Sequence, residues 1–428
     1  MVKVNLNYGR STLPVELRDD WDVTVFRKSD MPVLPAPQWA LEHALAAPLG
    51  SPPLATVARS ARSACILICD ITRPVPNHLL LGPLIRCLLH AGMAPDAITV
   101  LVATGLHRPN EGAELEELVG DPWVLETVRV VNHHARDDDD HVHVGTTRSG
   151  TVVRLDRRFV EADLRLVTGL VEPHFMAGWS GGRKVIAPGV AHAETITTFH
   201  SYRYMEHAAT ANCVLDGNPL HTDQLEIVGM IGGALAVNVV IDEHRRVSFL
   251  NFGEIVSSHL EAVDHVRRYA EVPSRRRFPT VITSCAGYPL DQNYYQTVKG
   301  MVGPMDILEP GSDLIVVSEC SGGFGSSEFV DAQRRLVALG PDRFLETLSR
   351  KPRADIDEWQ TEMQVKPMRV GRIHLFAGEL AEEYWPLTGV NRVDDLARCV
   401  EHCVGRSASR SVAVIPEGPY VIPVMQGA

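Results

Sequence analysis

The sequence predicts an α/β protein: two α/β domains with mostly parallel sheets and an active-site cleft between them. Three observations predict it. Short apolar, β-branched runs recur between amphipathic stretches, as buried parallel strands do. Strand candidates alternate with helix candidates along the chain. Polar clusters follow several of the runs, at the places where open α/β sheets gather their ligands.

The strand candidates are ACILICD (64–70), AITVLVA (97–103), TVRVVN (127–132), LRLVTGLV (164–171), ALAVNVVI (234–241), TVITSC (280–285), DLIVVSE (313–319), RIHLFAG (372–378) and SVAVIPEG (411–418). Helix candidates include NHLLLGPLIRCLLHAG (77–92), IVSSHLEAVDHVRRYAEV (255–272) and SEFVDAQRRLVALG (327–340). The second of these runs into PSRRRFP, a basic, proline-bracketed segment. The expected division is therefore an N-terminal domain over 1–272, a linker over 273–279 and a C-terminal domain over 280–428.

Composition narrows the function classes. The 428 residues exceed one ordinary domain, and 45% hydrophobic with 22% charged residues is usual for a globular chain with a sizeable core. The net charge of -12 argues against a nucleic-acid binder but not against small anionic ligands, which a local cluster of cations can hold. The N-terminus has no signal-peptide core, and no stretch reaches the ~18 apolar residues of a membrane span. A cytoplasmic protein without membrane or nucleic-acid partners is expected. The eight cysteines are spread along the chain with no C-x-x-C pair, which reads as reduced, mostly buried thiols.

The richest segment is GLVEPHFMAGWSGGRKVIAPGVAHAETITTFHS (169–201), which sets His174, Lys184 and His200 in a glycine-rich, polar context. Gly181 and Gly182 would let the backbone approach a ligand, although WSGGRKV lacks the pattern of a Walker loop. DITRPVPN offers Asp70 and Arg73 after a strand, either as an ion pair or as a carboxylate-orienting group. TGLHRP places His107 after the next strand. DQNYYQTVKG sets Tyr295 and Lys299 one helical turn apart, with Gln296 beside them, as an anion clamp or as plain surface polarity. CSGGFGSSE (320–328) could form an amide nest. His133, His134, His141 and His143 flank RDDDD, either as a metal site or as an exposed hairpin.

Together these segments resemble the nickel-pincer-nucleotide-dependent lactate racemase family and its 2-hydroxyacid racemase and epimerase relatives. The matching stretches are DITRPVPN, ATGLHRP, EPHFMAGWSGGRKVIAPG, TTFH, YPLDQNYYQTVKG and DEWQ (357–360), in family order over most of the chain. The resemblance implies a cofactor, nickel pyridinium-3-thioamide-5-thiocarboxylic acid mononucleotide. Lys184 would be its covalent anchor and His200 the nickel ligand, with Asp70, Gly181 and Gly182 in support of this site. His107 and His174 would be the acid/base pair. Arg73, Tyr295, Gln296, Lys299 and Trp359 would hold the substrate.

The implied activity is inversion at C2 of a 2-hydroxycarboxylate by transient hydride transfer. Taking that hydrogen as a proton would leave a dianion, so an electrophilic acceptor is chemically apt. The implied partners are a small anionic 2-hydroxyacid and the enzymes that make the cofactor; the particular acid and the oligomeric state stay open. Two rival classes remain: a metalloenzyme using its histidines directly, and a non-catalytic 2-hydroxyacid or nucleotide sensor.

Overall fold

The computed structural model describes residues 2–426. The chain forms two compact units, neither of them contiguous. The first comprises Asp30–Phe199 and Val214–Arg268; the second comprises Met1–Ser29, His200–Cys213 and Tyr269–Ala428. The strands of the two main sheets are, in chain order, β1 (Asp22–Val25), β2 (Ala64–Cys69), β3 (Ile98–Ala103), β4 (Arg129–Asn132), β5 (Leu164–Leu170) and β6 (Leu235–Ile241). They continue with β7 (Val247–Glu254), β8 (Phe278–Ser284), β9 (Leu308–Val317), β10 (Arg372–Phe376), β11 (Asn391–Arg392) and β12 (Ser411–Ile415). The helices used below are α1 (Asn77–His90), α2 (Tyr202–Met205), α3 (Tyr294–Val302), α4 (Glu358–Val370) and α5 (Leu396–Arg406).

In the first unit the strand order is β7-β6-β5-β2-β3-β4, parallel throughout except for the antiparallel β6–β7 edge. The run ACILI is wholly buried in β2, as a strand covered on both faces must be. Ile66, Ile68, Val100, Val102 and Leu166 share a core with the α1 stripe Leu80, Leu81, Leu84, Ile85 and Leu88. That helical spacing turns one side of α1 onto the sheet.

The second unit carries a wholly parallel sheet, β11-β10-β9-β8-β12-β1. Ile282, Ile315, Val412 and Val414 pack there with Leu396, Val400 and Val404 of α5. In both sheets the winding direction reverses once, between β2 and β5 and between β8 and β12. The loops leaving the carboxyl ends at those points are the expected ligand positions.

The segmentation differs from the division into 1–272 and 280–428. β1 pairs with β12, which puts the N-terminus in the second unit. The segment 273–279 is not an open linker either: Glu271–Ser274 pairs in parallel with Ile422–Met425, and Phe278 opens β8. Pro273 is tolerated because a two-stranded ladder leaves one edge without partners. Five of the eight cysteines are buried and, among the described residues, none is in a disulfide. No helix among the described residues is long and apolar enough to cross a membrane.

Candidate active site

The first unit gathers its polar residues at the β2/β5 reversal. After β2 the chain makes a tight turn in which the Thr72 N–H and Oγ1 donate to Asp70 Oδ1 at 3.2 and 2.5 Å. The other carboxylate oxygen accepts from His107 Nδ1 at 2.6 Å. The Asp70 side chain is 6% exposed and that of His107 60% exposed. The buried carboxylate therefore fixes the exposed ring's tautomer, with the lone pair on Nε2. Burial pushes the Asp70 carboxyl up, but the His107 hydrogen bond and charge, aided by Thr72 and Arg73, outweigh it and hold the group below its ordinary value.

His107 comes from the loop after β3, where its N–H donates to the Thr104 carbonyl at 2.9 Å and Gly105 N–H to the Gly189 carbonyl at 2.9 Å. Asn110 ties this loop to the first, accepting from Ile71 N–H at 3.3 Å. Arg73 lowers the Asp70 carboxyl through its charge, and its Nη1 donates to Glu172, two residues beyond β5. Glu172 is a site residue that sequence reasoning passed over. Its only signal is its position after LRLVTGLV, since the pairing requires β2 and β5 to be neighbours.

His174 lies in a two-residue strand paired with Gly178–Trp179. Its Nδ1 accepts the N–H groups of Met176 at 3.3 Å and Ala177 at 3.1 Å, so the neutral ring carries its proton on Nε2. The following SGGRK turn is held by Ser180 Oγ donating to the Leu170 carbonyl at 2.7 Å and by Gly182 N–H donating to Asn238 Oδ1 at 3.1 Å.

Gly181 and Gly182 each allow a close approach within the chain. At Gly181, with φ of +76°, a Cβ would meet Val171 Cγ2 at 2.7 Å. A Cβ on Gly182 would press on His259 at 3.0 Å. Lys184 is partly buried. Burial pushes the neighbouring Cys69 thiol up to about 11, against the opposing charges of Arg73 and Lys184. These two cations therefore act at the same strand end as Asp70.

The second unit assembles the remaining residues. His200 was expected with the N-terminal residues, yet it belongs to this unit and packs against Trp359, ring centroids 4.3 Å apart. The short helix α2, immediately after it, packs on α4, which carries Trp359. Asn293 caps α3, its side chain accepting from Gln296 N–H at 3.0 Å. Gln360 Nε2 donates to the Tyr295 carbonyl at 2.6 Å and joins α3 to α4. Burial first, then the Asp357 charge, raises the Tyr295 phenol well above its usual range, with Trp359 opposing. Gln296 Oε1 is buried without a hydrogen-bond partner, and Lys299 is partly buried one turn beyond Tyr295.

Two other sequence candidates are accounted for structurally. His133 Nε2 lies 3.0 Å from His141 Nε2, His141 Nδ1 lies 2.6 Å from the Asp137 carbonyl and His133 Nδ1 lies 3.2 Å from Thr104 Oγ1. That chain uses all four ring nitrogens, and burial followed by the His141 charge pulls His133 down to about 2. In CSGGFGSSE, the N–H groups of Cys320, Gly322 and Gly323 all donate to carbonyls of the chain, which removes the amide nest.

Comparison with known proteins identifies the family. Residues 8–212 match the lactate racemase N-terminal domain and residues 275–423 the lactate racemase C-terminal domain. The chain is 30% identical over 433 residues to the lactate racemase of Lactiplantibacillus plantarum, covering 99% of this chain and 100% of that protein. It is 29% identical over 437 residues to the lactate racemase of Thermoanaerobacterium thermosaccharolyticum, covering 99% of each. The structure of the lactate racemase apoprotein from the latter organism matches with a TM-score of 0.91 at 28% identity, over 99% of this chain and 100% of that one. A Thermotoga maritima protein, 17% identical, shares the fold with a TM-score of 0.66 over 91% and 97% of the two chains. The protein is an isomerase, specifically a racemase. It belongs to the lactate racemase family.

Proposed function

We propose that this racemase inverts C2 of a small 2-hydroxycarboxylate, with His107 and His174 as its acid/base residues and a nickel-pincer nucleotide as its cofactor. The observation that carries the reading is the buried Asp70 bonded to exposed His107 at 2.6 Å, beside Arg73, at the β2/β5 reversal. A base that must take a proton and return it needs a pKa near neutrality and a fixed tautomer, and a buried carboxylate behind an imidazole supplies the second.

The side chains present fit the implied cofactor. Imidazole suits nickel, which agrees with His200 as its protein ligand, and the Lys184 amine is the group that a thioamide linkage requires. Bound there, the nucleotide would supply an acceptor that takes and returns the C2 hydrogen with its electron pair.

The chain's own residues would do the rest. His107 Nε2 takes the hydroxyl proton while Asp70 balances the charge that develops on the ring. His174, whose Nε2 bears the proton in its neutral form, serves the opposite enantiomer. The Arg73 guanidinium and the Lys299 ammonium are the cations that would fix the substrate carboxylate. Gln296 Oε1 would accept from a substrate hydroxyl, and Tyr295 and Trp359 would exclude water.

The test is chiral chromatography of enantiopure 2-hydroxyacids, lactate among them, incubated with protein produced alongside the cofactor-making enzymes. Interconversion by the wild type that disappears in His107→Ala and in His174→Ala is expected. Full activity in either variant removes that residue's role.

A further inference from the structure

The second unit holds a cluster of metal-ligating side chains that the proposed reaction does not use. Cys399 and Cys403 lie one turn apart on α5, so their side chains leave the same face. Their Sγ atoms are 4.0 Å apart. His374 on β10 completes the set, with one donor atom from each of the three residues within 4.8 Å of the others.

The spacing matches a specific coordination geometry. A tetrahedral zinc ion with Zn–S bonds of ~2.3 Å sets two sulfurs about 3.8 Å apart, close to the distance already present. The imidazole is oriented for the task as well. Its Nε2 donates to Asp313 Oδ1 at 2.9 Å, which leaves the lone pair on Nδ1. A carboxylate behind the ligating imidazole is the usual outer support of a zinc histidine. Asp313 is itself buried and held by Arg372, at 2.7 and 3.0 Å. Two sulfurs and a nitrogen disfavour magnesium and calcium, which take oxygen ligands, and favour zinc among common ions.

We infer that His374, Cys399 and Cys403 form a zinc site that clasps α5 to β10, with a water in the fourth position. Binding replaces the two thiol protons, which pass to solvent, so no oxidant or reductant is involved. None of these three residues is among those assigned to the proposed nickel cofactor.

The experiment is a titration of reduced, cofactor-loaded protein with cobalt(II) and then zinc(II). One cobalt per chain is expected, with a near-ultraviolet thiolate-to-cobalt charge-transfer band that zinc abolishes. Zinc should also raise the Tm. Cys399→Ser should lose the band and weaken zinc binding by about a hundredfold or more, and Asp313→Asn by about tenfold, while bound nickel and racemisation stay unchanged in Cys399→Ser. A wild type with no thiolate band overturns the inference. A band of full strength in Cys399→Ser does so too, and neither result touches the racemase reading.

Discussion

Asp70 shows how one residue can hold a site together. One oxygen closes the turn with Thr72 and the other fixes His107, so the β2 loop and the His107 loop share a carboxylate. Asp70→Asn keeps the size and the turn but cannot balance a charged imidazole. A fall in kcat of about a hundredfold is expected from the usual worth of general acid/base catalysis, with the circular dichroism spectrum unchanged; wild-type kcat would contradict it. The same carboxyl is held below its unfolded value of about 3.9. Its contribution to stability is therefore complete above that pH and is lost as pH falls through the lower folded value. Acid unfolding of Asp70→Asn should accordingly fall off less steeply below pH ~4 than the wild type, and equal slopes would remove this contribution. Asp70, Arg73, His107 and His174 were singled out in the sequence because each follows a strand-like apolar run, and their roles came from the family resemblance. Glu172 was not, because its partner is chosen by strand adjacency rather than by spacing.

At the scale of elements, α4 carries a cost that its sequence does not announce. Glu362 is 1% exposed with Oε1 unpartnered, and burial, with Glu206 and Glu358 adding and Lys366 and Arg369 opposing, pushes its carboxyl up to about 9. Between pH ~4.5 and ~9 the folded chain keeps a proton that the unfolded chain releases, so stability falls as pH rises through that window, at up to about 1.4 kcal/mol per unit. Glu362→Gln should therefore raise the Tm more at pH 8 than at pH 5, and an equal effect at both would contradict the buried neutral carboxyl. The SGGRK turn sets a second test. Gly181→Ala puts a methyl against Val171 at positive φ and should cost about 1–3 kcal/mol in urea unfolding; an unchanged midpoint would show that the turn can relax. The apolar strands β2, β3, β5, β6, β8, β10 and β12 were legible as β-branched runs, whereas β7, interrupted by Ser248, Asn251 and Gly253, was not. β1 and β11 were not, being short and partly exposed, and neither was the pairing that turns 271–274 into a strand.

Across the whole molecule, the α/β class followed from alternation along the chain, but the two units did not follow from chain order. The sheet partners of β1 and the attachment of His200 to Trp359 join residues hundreds or more than a hundred positions apart, and no local pattern encodes them. The family's motifs nevertheless run in order through both units. The racemase reading of Lys184 and His200 meets its most direct test in peptide mass spectrometry and nickel analysis of protein produced with the cofactor-making enzymes. The account predicts a covalent adduct on Lys184 and about one nickel per chain retained through it, both lost in Lys184→Ala and the nickel alone diminished in His200→Ala. An unmodified Lys184 despite cofactor supply would contradict it.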